Sequence, residues 1–379
     1  MIAMKPIRRY MMIMLCLILC SSFPLQGDQG TLAELYRSGK VRLVSELVID
    51  EKSLPKDVLF VGLTSISSDS AGNIYALDMS DNNIKKFDSA GRFIKVIGRN
   101  GQGPGEFDMP YKMGVAGDRL VVYEMMNMRL SLLTLDGTYI SGLRLPDAME
   151  RPEKIRGLPG GDVILETEKI YFEKDRPQDR RIAILDSGLK HKKEIYSRSV
   201  LRDIYSLSHG NLPQPFCHDI HWDVSPDGHI LIGFSDKYEI GIFDAENKRL
   251  GTVVHAWDPA MVTAEDKKNW FGNINTANGK GAPDWVVKAT KFPSLKPAFD
   301  EVLWDPDGNI IVHPILQEGS GQFYDAFAPD GTFIARFELA GAPELFHERK
   351  KWFSGSFFWT YHSDSEGNYH ILRWRLSKF

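Results

Sequence analysis

The densest group of side chains that can do chemistry in this sequence is His218-Asp219-Ile220-His221. Two imidazoles beside a carboxylate can hold a divalent ion, or can act as an acid and a base. In a β-strand, however, residues three apart point to opposite faces, so both histidines face one ion only across a bulge. We therefore predict hydrogen bonding or ligand contact for this group, and His218 and His221 are the candidate ligands if a metal is bound.

Further ionisable residues lie far apart along the chain, near the beginnings of separate β-rich runs. Together with the group above they make eight candidate site residues: Lys112, Glu153, Lys154, His218, Asp219, His221, Asp300 and Glu301. Residues so distant in sequence form one site only if the fold gathers the beginnings of these runs. The elements that carry them therefore decide whether they act together.

The β-rich runs belong to a repeating unit. In its clearest copy, the runs 63–69, 72–78, 83–88 and 92–98 are separated by Asp, Asn and Gly residues. Short apolar runs with this punctuation predict four strands joined by tight turns. A four-stranded antiparallel meander of this kind is one blade of a β-propeller.

The unit returns along the chain. Further copies open at Gly117, Gly161, Asp227 and Asp307, and a less regular copy occupies 357–376. Periods of about 40–50 residues are typical of propellers and solenoids, because one meander cannot bury both of its faces alone. The last copy lacks an outer strand, whereas Val41–Ile49 is β-rich and has no repeat of its own. The sequence thus predicts an all-β fold, a six-bladed β-propeller closed by an N-terminal strand.

Two adjacent segments resemble a known family. Asp69 to Asp88, followed by Gly98-Arg99-Asn100-Gly101-Gln102-Gly103-Pro104-Gly105-Glu106-Phe107, resembles the NHL repeat and its linking loop in exported bacterial six-bladed propellers. The resemblance implies that the Gly-rich segment connects adjacent blades across one face of the ring, and glycines permit the turns that this requires. A phosphate-binding loop is the alternative, but the segment lacks the Lys-Ser or Lys-Thr ending and the following helix.

A propeller presents the beginnings of its innermost strands at a central channel, so we expect the eight candidates at the channel mouth. Our leading hypothesis is a non-catalytic binding propeller that engages a protein, peptide or glycan through one face of the ring, with no cofactor. The common catalytic motifs are missing from the sequence. Six-bladed propellers that resemble this one include metal-dependent lactonases and lyases. The alternative is therefore such an enzyme, with a divalent metal in the channel.

The N-terminal segment predicts export. Lys5, Arg8 and Arg9 precede the apolar run 11–20 and a more polar stretch to Gly27, which is typical of a secretory signal. We expect residues 1–27 to be this signal and 28–379 to be a single domain, periplasmic or extracellular, without a transmembrane helix. Lipid attachment at Cys20 is a weaker alternative. Cys217 then stands alone in the mature chain, and we interpret it as a small buried apolar residue.

Composition limits the partners. Hydrophobic residues make up 43% and charged residues 25%, with a formal net charge of −4. These values are typical of a globular protein with no broad attraction for nucleic acid, and we expect a monomer.

The long segment 258–297 between the fourth and fifth blades contains a predicted short helix at 263–271, with Thr263 as its N-cap. It either covers one mouth of the ring or packs its own tryptophans as a surface excursion.

Overall fold

A computed structural model describes residues 31–145, 150–171, 176–200, 203–206, 210–276, 279–317, 322–340, 351–354, 357–364 and 366–378. The described chain opens with helix α1 (Leu32–Arg37) and strand β1 (Lys40–Ile49). Residues Leu32–Phe379 form one compact unit. Within the described part, no helix is long and apolar enough to cross a membrane.

Blades 1 to 4 are four-stranded antiparallel sheets whose strands pair in chain order. Blade 1 consists of β2 (Leu63–Ser68), β3 (Ile74–Asp78), β4 (Asn83–Phe87) and β5 (Phe93–Ile97). Blade 2 consists of β6 (Pro110–Ala116), β7 (Arg119–Glu124), β8 (Arg129–Thr134) and β9 (Tyr139–Arg144). Blade 3 consists of β10 (Glu150–Gly157), β11 (Val163–Lys169), β12 (Gln178–Leu185) and β13 (His191–Val200). The hairpin β14 (Asp203–Ser206) and β15 (Gly210–Pro213) precedes blade 4, which consists of β16 (Ile220–Val224), β17 (Ile230–Phe234), β18 (Glu239–Phe243) and β19 (Arg249–Val254).

An insertion separates blade 4 from the last two blades. It contains α2 (Ala264–Gly272), β20 (Asn275–Thr276), β21 (Gly279–Lys280) and α3 (Asp284–Ala289). Blade 5 consists of β22 (Phe299–Trp304), β23 (Ile310–Pro314), β24 (Phe323–Phe327) and β25 (Phe333–Ala340). Blade 6 consists of β26 (Lys351–Ser354), β27 (Phe357–Ser363), β28 (Tyr369–Lys378) and the N-terminal β1.

Apolar clusters join the blades, one cluster at each of the six boundaries between neighbours. Leu77 of blade 1 and Met113 of blade 2 share one cluster. The boundary between blades 6 and 1 is packed in the same way, with Trp359 and Ile66 in a common cluster. Because the last blade packs on the first, the ring has no open end. The prediction of an all-β, six-bladed propeller is confirmed.

Strand β1 closes the ring, as its lack of a repeat predicted. It pairs antiparallel with β28 from Val41↔Lys378 to Ile49↔Ile371, as the outer strand of blade 6. Its first three residues, from Lys40 to Arg42, also pair in parallel with β25 of blade 5. Helix α1 extends this latch, because Tyr36 stacks on Phe337 with ring centroids 4.5 Å apart. The Tyr36 hydroxyl donates to Asp305 Oδ2 at 2.9 Å.

The inner strand of blade 6 was missed by the sequence analysis, which began that repeat at Phe357. The strand is β26, and it pairs with β27 from Lys351↔Thr360 to Ser354↔Phe357. Tyr361 of β27, one residue beyond these described pairs, lines the channel cavity and donates its hydroxyl to the carbonyl of Thr64 at 2.7 Å.

Aspartates hold many of the turns. Three of them accept amide hydrogens in the turn before an outer strand: Asp88, Asp186 and Asp244. Asp78 instead accepts the amides of Val61 and Gly62 and is paired with the buried Lys85. Asp136 is paired with Lys86 at 3.2 Å. The carboxylates thus satisfy backbone groups or buried cations.

The Gly-rich segment 98–107 connects β5 of blade 1 to β6 of blade 2, as predicted for a linking loop. Gly98 has φ +80°, and a Cβ there would lie 2.3 Å from the ring of Phe107. Only glycine fits this position without displacing that buried ring. Arg129 of blade 2 donates to the carbonyls of Gln102 and Glu106, which fixes the loop on the ring.

Candidate functional site at the channel mouth

Side chains from all six blades line one cavity of about 310 Å³ in the central channel. It lies toward the face where the inner strands begin, because its walls come from β2, β6, β10, β16 and β22, with Tyr361 of β27 completing the ring. Six of the eight candidate residues line this cavity: Lys112, Glu153, Lys154, His221, Asp300 and Glu301. The fold therefore gathers them as expected, and their role in binding stays a prediction.

His218 and Asp219 do not line this cavity, so their assignment to the channel mouth needs correction. Both residues precede β16, which begins at Ile220, so they are not part of the inner strand that lines the channel. Asp219 is buried, and its Oδ1 accepts the amide of Ile220 at 2.8 Å. His218 lines a separate cavity of about 350 Å³ with Arg198 and Phe292 of the insertion. Burial there lowers the pKa of His218, and Asp236 only partly opposes the shift.

A chain of ion pairs, which the sequence analysis missed, runs from inside blade 3 to the channel mouth. At its buried end Arg180 of β12 donates to Glu166 of β11 through Nε at 3.0 Å. Glu166 also accepts the indole N–H of Trp222, at 2.9 Å, which ties blade 3 to blade 4. Burial lowers the pKa of Arg180, but the carboxylates of Glu166 and Asp219 outweigh it and raise this pKa above its usual value. Arg180 therefore carries a full charge in the protein interior.

The same chain continues outward through Glu168 to the predicted residue Glu153. Arg180 Nη1 lies 3.5 Å from Glu168 Oε1, and Arg151 Nη2 lies 3.1 Å from Glu168 Oε2. Arg151 Nε is then 2.8 Å from Glu153 Oε1, and Glu153 Oε2 is 3.8 Å from Lys112 Nζ. Alternating charges thus fix the orientation of Glu153 and Lys112 and preorganise this wall.

Lys154 occupies the wall beside this chain. Its Nζ donates to the carbonyl of Trp222 and lies 4.4 Å from the centre of the Trp222 ring. Burial is the largest influence on the Lys154 amine and lowers its pKa to about 8, although Asp223 favours the charged form. The nearby cation Arg156 adds to the lowering. Lys154 is therefore a cation with an unusually accessible neutral form.

The opposite wall is acidic. Asp300 and Glu301 come from β22 of blade 5, which lies three blades from blade 2 in the ring of six. Lys112 and Asp300 therefore occupy opposing walls. Asp300 Oδ1 is 2.6 Å from Nδ1 of His313, and this contact orients the carboxylate. The mouth thus presents alternating cations and carboxylates on one side, and the carboxylates of Asp300 and Glu301 on the other.

The candidate metal pair is not assembled. His221 lines the channel and His218 lines the separate cavity. Within the described ranges, no three His, Cys, Asp or Glu side chains are grouped closely enough to hold an ion. The divalent metal of the enzyme alternative thus has no ligand set in this part of the chain and stays a hypothesis.

Comparison with known proteins agrees with this architecture. Residues 55–265, more than half of the chain, match the DUF5128 family, which is described as a 6-bladed beta-propeller. The chain belongs to the DUF5128 family. No curated protein is similar enough in sequence to count as a relative.

Solved structures similar to this DUF5128 chain include two from Bacteroides. One, from Bacteroides fragilis, is described as a presumed exported protein; the identity is 11%, and the match covers 89% of this chain and 96% of that one with a TM-score of 0.50. The other, a DUF4221 family member from Bacteroides vulgatus, is 10% identical over 90% of this chain and 99% of that one, also with a TM-score of 0.50. At this identity the likeness shows the fold alone. The family match supports the propeller, whereas the finer NHL assignment stays a resemblance.

The insertion of this DUF5128 propeller lies on the same face as the cavity, since β19 ends and β22 begins there. Its helix α2 is confirmed, with Thr263 and Asp266 forming a reciprocal cap. The base is a short ladder in which Met261 bridges to Leu295. Phe216, just before blade 4, has its ring 6.4 Å from Phe292 of the insertion. The insertion therefore adds a rim beside blade 4 at the mouth of the ring.

A second, wider cavity of about 820 Å³ lies where the inner strands of the DUF5128 propeller end. It is lined by the turns after those strands, for example Ser68–Gly72 and Gly157–Gly160. Arg156 lines both cavities, and its Nε is 3.7 Å from Oδ1 of Asp223. This pair therefore lies between the two ends of the channel.

Proposed function

We propose that this DUF5128 propeller is an exported, non-catalytic binding protein that holds part of a protein, peptide or glycan at the channel mouth. The observation that carries the proposal is that all six blades contribute side chains to one cavity at the face where the inner strands begin. Export is supported by the basic and apolar N-terminal segment, with Arg8 and Arg9 before the run 11–20.

The cavity has the properties of a specific site for a polar group. Its volume of about 310 Å³ is at the lower end of the range of roughly 300–1,000 Å³ that small-ligand pockets occupy. That size suits one sugar unit or a short piece of peptide rather than a whole macromolecule. The rest of a larger ligand would lie on the surrounding face, where the insertion forms a rim next to blade 4.

The charges favour a ligand that offers both donors and acceptors. Lys112 can donate to a carboxylate or hydroxyl, and Asp300 on the facing wall can accept from an amine or hydroxyl. Both side chains are oriented by a neighbour, Lys112 by Glu153 and Asp300 by His313. A wall whose groups are already oriented loses less conformational entropy when a ligand binds.

If the ligand binds at the channel mouth, substitutions there should weaken its binding, and a substitution at the other end of the channel should not. The double variant Lys112→Gln, Asp300→Asn should weaken capture on glycan and peptide arrays by about tenfold or more, because it removes one charge from each wall of the cavity. Binding constants for any array hit, measured by calorimetry, provide the readout.

The matched control is Asp118→Asn, an exposed carboxylate that lines the cavity at the other end of the channel. It should leave the affinity of the same hit within about twofold. Equal affinities for the double variant and the wild type would show that the hit does not use the channel mouth, and would contradict the proposal.

A further inference from the structure

Three lysines in the described part of the chain are buried, Lys85, Lys86 and Lys296, and each of them contacts a carboxylate. The half-buried Lys154 differs from them. Lys85 Nζ lies 2.8 Å from both Asp78 and Asp81. Lys296 Nζ lies 2.7 Å from Asp266 Oδ1. These two pairs are structural, since an enclosed ammonium is normally balanced by a carboxylate at contact distance.

Lys154 lacks such a partner. Its Nζ donates to the carbonyl of Trp222 and rests over the indole ring, and no carboxylate in the described residues lies within ion-pair distance of it. Unlike Lys85 and Lys296, it also lines an open cavity. A small molecule that enters the channel can therefore reach this amine.

The groups around Lys154 match the requirements of one kind of ligand. Arg156 follows two residues later on β10, so it projects from the same face of the strand and lines the same cavity. A guanidinium at this spacing can bind a carboxylate next to a group held by the amine. Glu301 also lines the cavity and lies close enough to favour the charged form of Lys154. The site thus combines an amine, an anion-binding group and a group that can carry a proton.

We propose that Lys154 holds small oxo acids, that is aldehydes or ketones that carry a carboxylate, as a reversible protonated imine in the channel mouth. The inference deepens the proposed binding function and rests on it, because it requires that the channel mouth be a ligand site. It adds the chemical class of a ligand and the atom that binds it.

The reaction balances without any further reactant. The Lys154 ammonium gives one proton to the Glu301 carboxylate, and the neutral amine attacks the carbonyl carbon. A C–N bond forms, the C=O π bond breaks, and the oxygen takes the proton that the nitrogen releases, which gives a carbinolamine. Glu301 then gives its proton to the hydroxyl group, which leaves as water while the C=N bond forms. The sum is one ammonium and one carbonyl giving one iminium and one water, with nothing oxidised or reduced. The remaining N–H of the iminium can keep donating to the Trp222 carbonyl.

The free amine is available near neutral pH. Because burial lowers the pKa of Lys154 to about 8, about a tenth of it is neutral at pH 7, whereas an exposed lysine with a pKa of about 10.4 is neutral in well under one molecule per thousand. The neutral form is the nucleophile. Imine formation at Lys154 should therefore rise about tenfold between pH 7 and 9 and then level off, whereas at exposed lysines it should rise about a hundredfold and still be increasing at pH 9.

Trapping with glyoxylate and cyanoborohydride tests the proposal. Reduction of the imine leaves a stable carboxymethyl group, and peptide mapping by mass spectrometry locates it. At pH 7 Lys154 should be modified at least about tenfold faster than two internal references, Lys112 in the same cavity and the exposed Lys56. Acetaldehyde, which lacks the carboxylate, should label Lys154 more slowly than glyoxylate, and Arg156→Gln should remove that preference.

Two variants keep the test falsifiable. Lys154→Arg retains the positive charge and the donor to the Trp222 carbonyl, so it should fold with an unchanged melting temperature and lose only the adduct at this position. Equal labelling of all three lysines, or an unmodified Lys154 in the folded protein, would overturn the imine. If no adduct forms at Lys154 while the Lys112→Gln, Asp300→Asn variant still loses array binding, the proposed imine is wrong and the proposed binding function stands. An adduct at Lys154 with no array binding would retain the imine and overturn the proposed macromolecular ligand.

Discussion

A chain that begins after Ile49 should fail to fold cooperatively, because it lacks the strand that closes the ring. Deletion of α1 and β1 removes Leu35, Val41, Leu43 and Ile49 from the core, each of them less than a tenth exposed. At about 1.5–3 kcal/mol for each buried side chain, the loss is about 6–12 kcal/mol, comparable with the whole stability of a typical domain. The unpaired edges of β25 and β28 would also invite aggregation. Circular dichroism and size-exclusion chromatography report both effects.

The control is a chain that begins at residue 28, which keeps α1 and β1 and should unfold in one cooperative transition. A synthetic peptide covering 32–49, added to the truncated chain, should restore part of the native signal by supplying the outer strand of blade 6. A truncated chain with the melting curve of the control would contradict the closure by β1.

Replacing Arg180 with alanine should lower the free energy of unfolding by about 3–5 kcal/mol, the usual cost of removing one partner from a buried ion pair. The Arg180 side chain is only 3% exposed and faces three buried carboxylates, those of Glu166, Glu168 and Asp219. Without the guanidinium these negative charges remain in the interior without compensation. Urea unfolding at pH 7 measures the loss.

The neighbouring residue provides the matched control. Arg181 is 40% exposed, and its nearest carboxylates, those of Glu150 and Glu194, are as far as 3.9 Å away. Arg181→Ala should change the stability by less than about 0.5 kcal/mol. A loss for Arg180→Ala as small as that for Arg181→Ala would show that the interior ion pairs do not stabilise blade 3. It would also remove the basis for a preorganised channel wall.

The repeat made most of the fold predictable, because each blade carries its own turn residues. Pairs such as Asp227-Gly228 and Asp330-Gly331 mark the turns, and Gly228 and Gly331 both have positive φ, which glycine adopts without strain. Strand β26 escaped detection since it is four residues long and no such pair marks its end. Closure by β1 could be inferred from counting, because one strand without a repeat matched one repeat without an outer strand.

The site was less predictable, and the reason is geometric. Lys112 and Lys154 could be placed because the beginnings of inner strands face the channel whatever the details of the blade. His218 could not, because a shift of one or two residues in the start of β16 decides whether a side chain enters the channel. Arg180 and Glu166 come from strands behind the inner one, and their reach depends on packing between sheets. The available signal was a pair of acids, Glu166 and Glu168, in a run that begins with the apolar residues 163–165 and is predicted to be a strand.

Every residue assigned to the mouth depends on β1 pairing with β28 in the observed register, and a disulfide tests this most directly. Arg42 and Ser377 are direct partners in the antiparallel ladder. Directly opposed residues lie about 4.5–5.5 Å apart between Cα atoms, within the span of a disulfide, whereas positions shifted by two residues lie about 7–8 Å apart and exceed it. The measurement is the extent of oxidation of Arg42→Cys, Ser377→Cys in a Cys217→Ser background.

The account predicts a nearly complete intramolecular disulfide in the monomer, a raised melting temperature, and little cross-linking in the shifted pair Arg42→Cys, Arg375→Cys. Equal cross-linking of both pairs, or a bond that forms only between molecules, would contradict the closed ring and with it the channel mouth.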